Sequence, residues 1–464
     1  MKMEKNQKRD LSMIDPIEPS YRPKTSRWIM LSIQHVFAMF SATVLVPMLT
    51  GLPISVALFA SGLGTLIYIL CTKHKVPIYL GSSFAYIEYI TSVCIYSEVN
   101  GVKVVGSYGP ALTGLVAVGL IYVIVAGFIK LFGTKWLNKL LPPIVVGPMI
   151  MVIGLSLSSS AIGNTGLTLG GDWRAVVVSF ATILTVAFFA IKGKGFVKVI
   201  PFLLGIVGGY VVAIIMNFIP NGENTLIDFK PLFDVCKDPS QWFKLPGFTV
   251  IGWKDQYLGA GISMYKVSFA AVLTVIPIAF ATICEHIGDH EVLGKITGKD
   301  YITDPGLHRT LLGDGIATAV AGLIGGPANT SYGENTSIVG MTKVGSVWVT
   351  GGAAVIAILL SFCNVFTTLI ATIPASVMGG VCLILYGFIA SNGLRTLLDS
   401  KIDLTQTRNL IIISVILVIG IGGAAIYSKS GMKIFTSVAI SSIVGVILNL
   451  ILPKENGTKE TENK

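Results

Sequence analysis

Apolar stretches close to 20 residues long recur from Trp28 to Leu452, broken by short polar segments. That length matches the hydrocarbon thickness of a bilayer crossed by a helix. The pattern predicts an all-α polytopic membrane protein with fourteen spans. Seven centre near Phe40, Leu63, Ile87, Val118, Ile150, Leu184 and Val207, and seven near Thr274, Ala317, Ile338, Ala357, Leu385, Leu417 and Ile443. The third and tenth are poor helices. One follows Val76-Pro77-Ile78-Tyr79-Leu80-Gly81-Ser82-Ser83, and the other is little more than residues 329–338. Irregular backbone at membrane depth is tolerated only where protein or a water-filled cavity surrounds it.

A polar connection near the middle divides the chain. The expected boundaries are a tail over residues 1–27, a first seven-span repeat over 28–219, an extracellular connection over 220–260, a second seven-span repeat over 261–452 and a tail over 453–464. An odd number of spans per half gives the halves opposite orientation, which is the 7+7 inverted-repeat plan of many secondary transporters. Broken spans at matching positions, third and tenth, point to a binding site at the bilayer midplane.

Composition agrees with a membrane. Hydrophobic residues make up 53% of the chain and charged ones 12%, with mean hydropathy +0.76, whereas soluble domains carry roughly 25% charged residues. The formal charge of +10 raises nucleic acid as a partner, but the positions of the basic residues argue against it. Taking the N-terminus as cytoplasmic, Lys73, Lys75, Lys130, Lys135, Lys139, Lys192, Lys194, Lys198, Lys295, Lys299, Arg309, Lys343, Arg395, Lys401 and Arg408 fall on inner segments. That follows the positive-inside rule and puts both termini in the cytoplasm of a cell-membrane protein. Lys429 and Lys433 are the short-loop pair on the wrong side. Residues 1–27 hold no apolar stretch able to act as a signal core. The six cysteines are scattered singly, without ligand or disulfide spacing.

The polar residues at membrane depth carry the chemistry. Glu285 and Asp289 lie at i and i+4 on one helix face, and Glu334 lies in the irregular tenth span. Burying carboxylates in lipid is costly, so they face a cavity and mark a pathway; the bland alternative makes Asp289 and His290 the cytoplasmic end of a helix. His286 and His290 have i, i+4 ligand spacing, yet the HExxH order is absent, and no metal site or cofactor is expected. No Walker loop, nucleophile elbow or filter repeat supports an embedded enzyme or a channel.

Several motifs together resemble the nucleobase–ascorbate transporter family. Residues 334–343, Glu334-Asn335-Thr336-Ser337-Ile338-Val339-Gly340-Met341-Thr342-Lys343, resemble its signature, and Gln34-His35 looks like its QH motif. Gly81-Ser82-Ser83-Phe84, Glu285-His286-Ile287-Gly288-Asp289, Asp304-Pro305-Gly306-Leu307-His308-Arg309 and Tyr332-Gly333-Glu334-Asn335 resemble the uracil permease branch. The resemblance implies core and gate domains and short antiparallel β-segments in the third and tenth spans. It implies that Glu285 and Glu334 accept N–H bonds from a nucleobase. The backbone N–H groups at Phe84 and Gly333 would donate to its carbonyls, with Ala42, Tyr332 and Tyr386 lining the pocket. Asp289, with Glu285, falls at the proton-coupling position, and Gln34 and His35 are accessory; the polar pair also fits simple bonding between neighbouring helices. A homodimer is implied, with protons as coupling ion and the lipid bilayer as surroundings. Ser337 departs from the Gly usual in the signature, and some uracil permeases carry His at the position of Asp289.

The chemistry also stands on the residues. Uracil is a small planar ring with two N–H donors and two carbonyl acceptors, complementary to carboxylates and free backbone N–H groups. Carboxylates sharing a poorly hydrated cavity cannot all stay ionised cheaply, which links uptake of a neutral base to a proton. An ionised Glu334 only accepts, which suits uracil, and Ser337 adds bulk that disfavours two-ring purines. A broader xanthine or purine symporter of the same family is the alternative.

Overall fold

The computed structural model describes residues 15–99, 102–221, 225–248, 269–427 and 433–453. Residues 1–14 of the expected N-terminal tail, 249–268 across the end of the expected connection and the start of the second repeat, Lys429 and residues 454–464 of the C-terminal tail lie outside the described residues. Among the described residues, seven helices are long and apolar enough to cross a membrane: Thr25–Thr50, Ile54–Cys71, Gly109–Phe132, Pro143–Thr165, Trp173–Lys192, Ala271–Thr297 and Ala375–Asp399. Shorter apolar helices span Pro201–Asn217, Val347–Ser361, Thr407–Ile421 and Ser437–Ile451. The chain is a multi-pass membrane protein.

Local chemistry sets the helix starts. Asp172 caps Trp173–Lys192 by accepting from the Arg174 N–H, and Thr436 caps Ser437–Ile451 by accepting from Ala439. Pro143 and Pro201 open their helices at the position where the missing N–H costs nothing.

Two segments depart from helix where the sequence is irregular. Leu80–Ser82 and Asn329–Ser331 pair antiparallel, with Leu80 opposite Ser331, Gly81 opposite Thr330 and Ser82 opposite Asn329. Buried backbone must find partners, and each strand supplies the other's. The Tyr332 N–H donates to the Tyr79 carbonyl (3.1 Å) and the Ser83 N–H to that of Ala328 (2.9 Å), extending the pairing beyond the strands. Gly81 allows the approach, because a Cβ there would sit 2.4 Å from the Tyr332 ring. Each strand then runs into a short helical piece, through a tight turn at Phe84–Tyr86 into Ile87–Val93, and directly into Gly333–Thr342.

The helices sort into two packed groups, and each group mixes both halves of the sequence. In one, Thr25–Thr50, Ile54–Cys71 and Gly109–Phe132 pack with Phe269–Thr297, Leu307–Ile324, Gly333–Thr342 and Val347–Ser361. In the other, Pro143–Ser156, Ser158–Thr165, Trp173–Lys192 and Pro201–Asn217 pack with Ala375–Asp399, Thr407–Ile421 and Ser437–Ile451. Gly119 and Gly315 let Gly109–Phe132 and Leu307–Ile324 touch backbone to backbone, since a Cβ on Gly119 would lie 2.4 Å from the Gly315 carbonyl oxygen.

Hydropathy overlooked several elements. A hairpin of Ile95–Val99 with Val102–Ser107 follows the first broken span. The amphipathic helix Lys230–Lys237 packs on Asn364–Ala371. The fifth apolar segment bends between Pro143–Ser156 and Ser158–Thr165.

Candidate functional site

Helix Phe269–Thr297 continues two turns beyond Asp289, so the acidic pair lies within the helix and not at its end. Its two faces differ. Glu285 and Asp289 are half-buried on one, while His286 and His290 are fully buried on the other. The Ser331 hydroxyl, at the end of its strand, donates to Asp289 Oδ2. Glu334 sits half-buried in the first turn of Gly333–Thr342, beside exposed Gly333 and Ser337. Glu285 is within electrostatic reach of Glu334 and Asp314, and Asp289 of all three. Among the described residues no Lys or Arg pairs with Glu285, Asp289 or Glu334.

The first N–H groups of a helix have no partner four residues back, and Phe84 and Gly333 hold those positions in the two short helical pieces. The antiparallel strand pair sets the two starts at its two ends. Tyr332 locks the junction: its hydroxyl donates to the Ser82 carbonyl (2.9 Å) and accepts from Thr43 Oγ1 (3.2 Å). Ala42 is buried in the same apolar cluster as Tyr332, and Phe84 packs against it. Phe84 also packs against the cluster of the second helix group, which contains buried Tyr386. One aromatic side chain thus touches both groups, next to the carboxylates.

His35 is buried and holds the signature helix in place: the Asn335 side-chain amide donates to His35 Nδ1 (3.0 Å) and to the His35 carbonyl (3.0 Å). Gln34 is half-buried, and its Oε1 finds no hydrogen-bond partner among the described residues. The hydroxyl of Ser337 donates to the Gly333 carbonyl (2.9 Å), which keeps its bulk on the open face.

Sequence reasoning passed over Asp314. It is fully buried in Leu307–Ile324 and accepts from His286 Nδ1 at 2.9 Å. His290 Nδ1 donates to the His286 carbonyl (2.6 Å), and the Tyr68 hydroxyl donates to His290 Nε2. This network ties the acidic helix to Leu307–Ile324 and Ile54–Cys71. The available signal was an Asp inside an otherwise uncharged apolar stretch, which marks function by default. Three of the four ring nitrogens of the two histidines are engaged, by Asp314, the His286 carbonyl and Tyr68, while His286 Nε2 is buried with no hydrogen-bond partner among the described residues.

The two ends of the acidic helix have different surroundings. Exposure runs along Glu285, Gly288, Asp289 and Val292 towards Lys295, and along Gly333, Ser337 and Met341 towards Lys343. A Cβ added at Gly288 or Gly333 would meet nothing within 4 Å. At the opposite end, Thr274 donates to the Ile434 carbonyl and Ser437 donates to Glu88, joining the two groups.

A bilayer-spanning helical fold, with a polar site built on two broken spans, defines the class as a membrane transporter. A family model described as "Permease family" matches residues 26–429, and the chain belongs to that family, the nucleobase–ascorbate transporters. It is 46% identical over 434 residues to the uracil permease of Bacillus caldolyticus, covering 93% of each chain. With the uracil permease of Bacillus subtilis (strain 168) identity is 44% over 439 residues, 93% of this chain and 94% of the other. In structure it resembles murine Solute Carrier 26 family member A9, an anion transporter in the inward-facing state, with TM-score 0.62 at 13% identity, over 93% of this chain and 69% of the other. The transmembrane domain of the cyanobacterium bicarbonate transporter BicA gives 0.56 at 13% identity, over 92% and 98%. At such identity the likeness concerns the fold alone. The relatives are permeases, and the protein is a transporter, not an enzyme.

Proposed function

We propose that the protein imports uracil across the cytoplasmic membrane in symport with a proton. The observation that carries this is the cluster of Glu285, Asp289 and Glu334, without a basic partner among the described residues, in a fold where Phe84 and Gly333 each begin a short helical piece. Glu285 and Glu334 accept from the ring N–H groups, and the N–H groups at Phe84 and Gly333 donate to its carbonyls. Ala42, Tyr332 and Tyr386 shape the pocket around the ring. Asp289, linked to Glu285 one turn away, takes the coupling proton, and the membrane potential then contributes about 2.3 kcal/mol per charge per 100 mV. High identity to two uracil permeases supports the choice of base.

The architecture that serves this function is fourteen spans in a 7+7 inverted repeat with both termini cytoplasmic. The helix group holding the carboxylates acts as the core, and the group holding Tyr386 acts as the gate and the homodimer contact. The sorting of helices from both halves into each group supports that division. In proteoliposomes, unlabelled uracil competes strongly for labelled uracil uptake, thymine less, and xanthine, adenine and ascorbate poorly; a protonophore abolishes accumulation. Equal displacement by xanthine would replace uracil specificity with a broad nucleobase carrier, and accumulation unaffected by the protonophore would remove proton coupling.

A further inference from the structure

Lys433 lies on the side where the charge pattern predicts no basic residue, and the structure gives it a partner. Its Nζ is 3.8 Å from Glu88 Oε1, with side-chain exposures of 27% and 17%. Glu88 belongs to the short helix Ile87–Val93, one turn past Phe84, which packs on Thr25–Thr50, Gly109–Phe132 and Phe269–Thr297 of the group that carries the carboxylates. Every group that holds it comes from the other group of helices or the strand leading into it. The Ser437 hydroxyl donates to both Glu88 oxygens at 3.4 Å. Ser437 is the first residue of helix Ser437–Ile451, where a negative charge is favoured by the helix dipole. A carboxylate from one body is therefore held by a lysine and a helix start of the other. The contact lies at the end of the molecule opposite to the open stripe of Gly333, Ser337 and Met341.

We propose that Glu88 is a gating residue: its contact with Lys433 and Ser437 is the latch that keeps the far side closed while the site is open towards Lys343. Turning the site to the other side requires the two bodies to part here, which exposes Glu88 and Lys433 to water. The latch then sets the balance between the two states, because it stabilises only one of them. The inference rests on the transport reading above, and the test separates the two: uracil binding reports on that reading, and backbone exchange on the latch.

Hydrogen–deuterium exchange on the full chain in nanodiscs, without uracil, measures the balance. Glu88→Gln and Lys433→Gln each speed exchange over residues 87–93 and 433–440 and slow it over 333–342, by about fivefold for a coupling at the low end of the usual range. The reversed pair, Glu88→Lys with Lys433→Glu, restores exchange towards wild type. A uracil-dependent rise in melting temperature certifies that each variant folds and binds. Should the Glu88 variants fail that check, Lys433→Gln and Ser437→Ala carry the test alone. Folded, uracil-binding variants with wild-type exchange at both ends overturn the latch, as does a reversed pair no closer to wild type than the single changes.

Discussion

Glu334 carries the sharpest residue-scale test. It stands in the first turn of the signature helix with no cation to pair with among the described residues. Glu334→Gln turns one acceptor into a donor, so a ring N–H meets an N–H. An unsatisfied buried group costs about 1–3 kcal/mol, and uracil affinity measured by calorimetry falls by about tenfold or more. Wild-type affinity in a well-folded Glu334→Gln protein sinks its role as acceptor. At this scale the sequence was informative about Glu285, Asp289 and Glu334, because charge in an apolar span is conspicuous. It was silent about their surroundings. The reading of His290 as a frayed helix end fails because Tyr68, 222 residues away in the chain, closes over it. Gln34 and His35 look alike in sequence, yet only His35 is gripped by Asn335.

At the scale of elements, the paired strands decide where the donors point. Gly81 and Gly333 flank the same junction and have opposite environments. A Cβ at Gly81 would collide with the Tyr332 ring at 2.4 Å, whereas one at Gly333 would meet nothing within 4 Å. Gly81→Ala therefore lowers stability by about 1–3 kcal/mol as the strands are forced apart, read as a drop in melting temperature. Gly333→Ala keeps its melting temperature and loses uracil affinity, since the methyl group enters the open site. Equal behaviour of the two variants in both measurements contradicts the junction geometry. Sequence alone marked both segments as irregular, through Pro77, Gly81 and the polar run 329–337. Partner and register were beyond it, because strand pairing across 249 residues is a contact and not a local preference.

On the scale of the whole molecule, the proposed proton coupling is the property to test. Asp289 accepts from Ser331 at the strand end and shares its helix face with Glu285, so its protonation bears on both broken spans. Asp289→Asn retains uracil binding and exchange across the membrane but loses accumulation driven by a pH gradient. Full accumulation by Asp289→Asn moves the coupling role to Glu285. The sequence by itself determined the solvent, the broken segments, the carboxylates and the family, because apolar length, glycine and proline placement and motif order are local and survive in one dimension. Only the tertiary structure decided the rest. It drew helices from both halves into each of two bodies, set the two strands edge to edge, paired Asp314 with His286 and brought Lys433 to Glu88. The reason is physical: buried polar groups must find partners, and which partner is within reach is fixed by how distant segments pack.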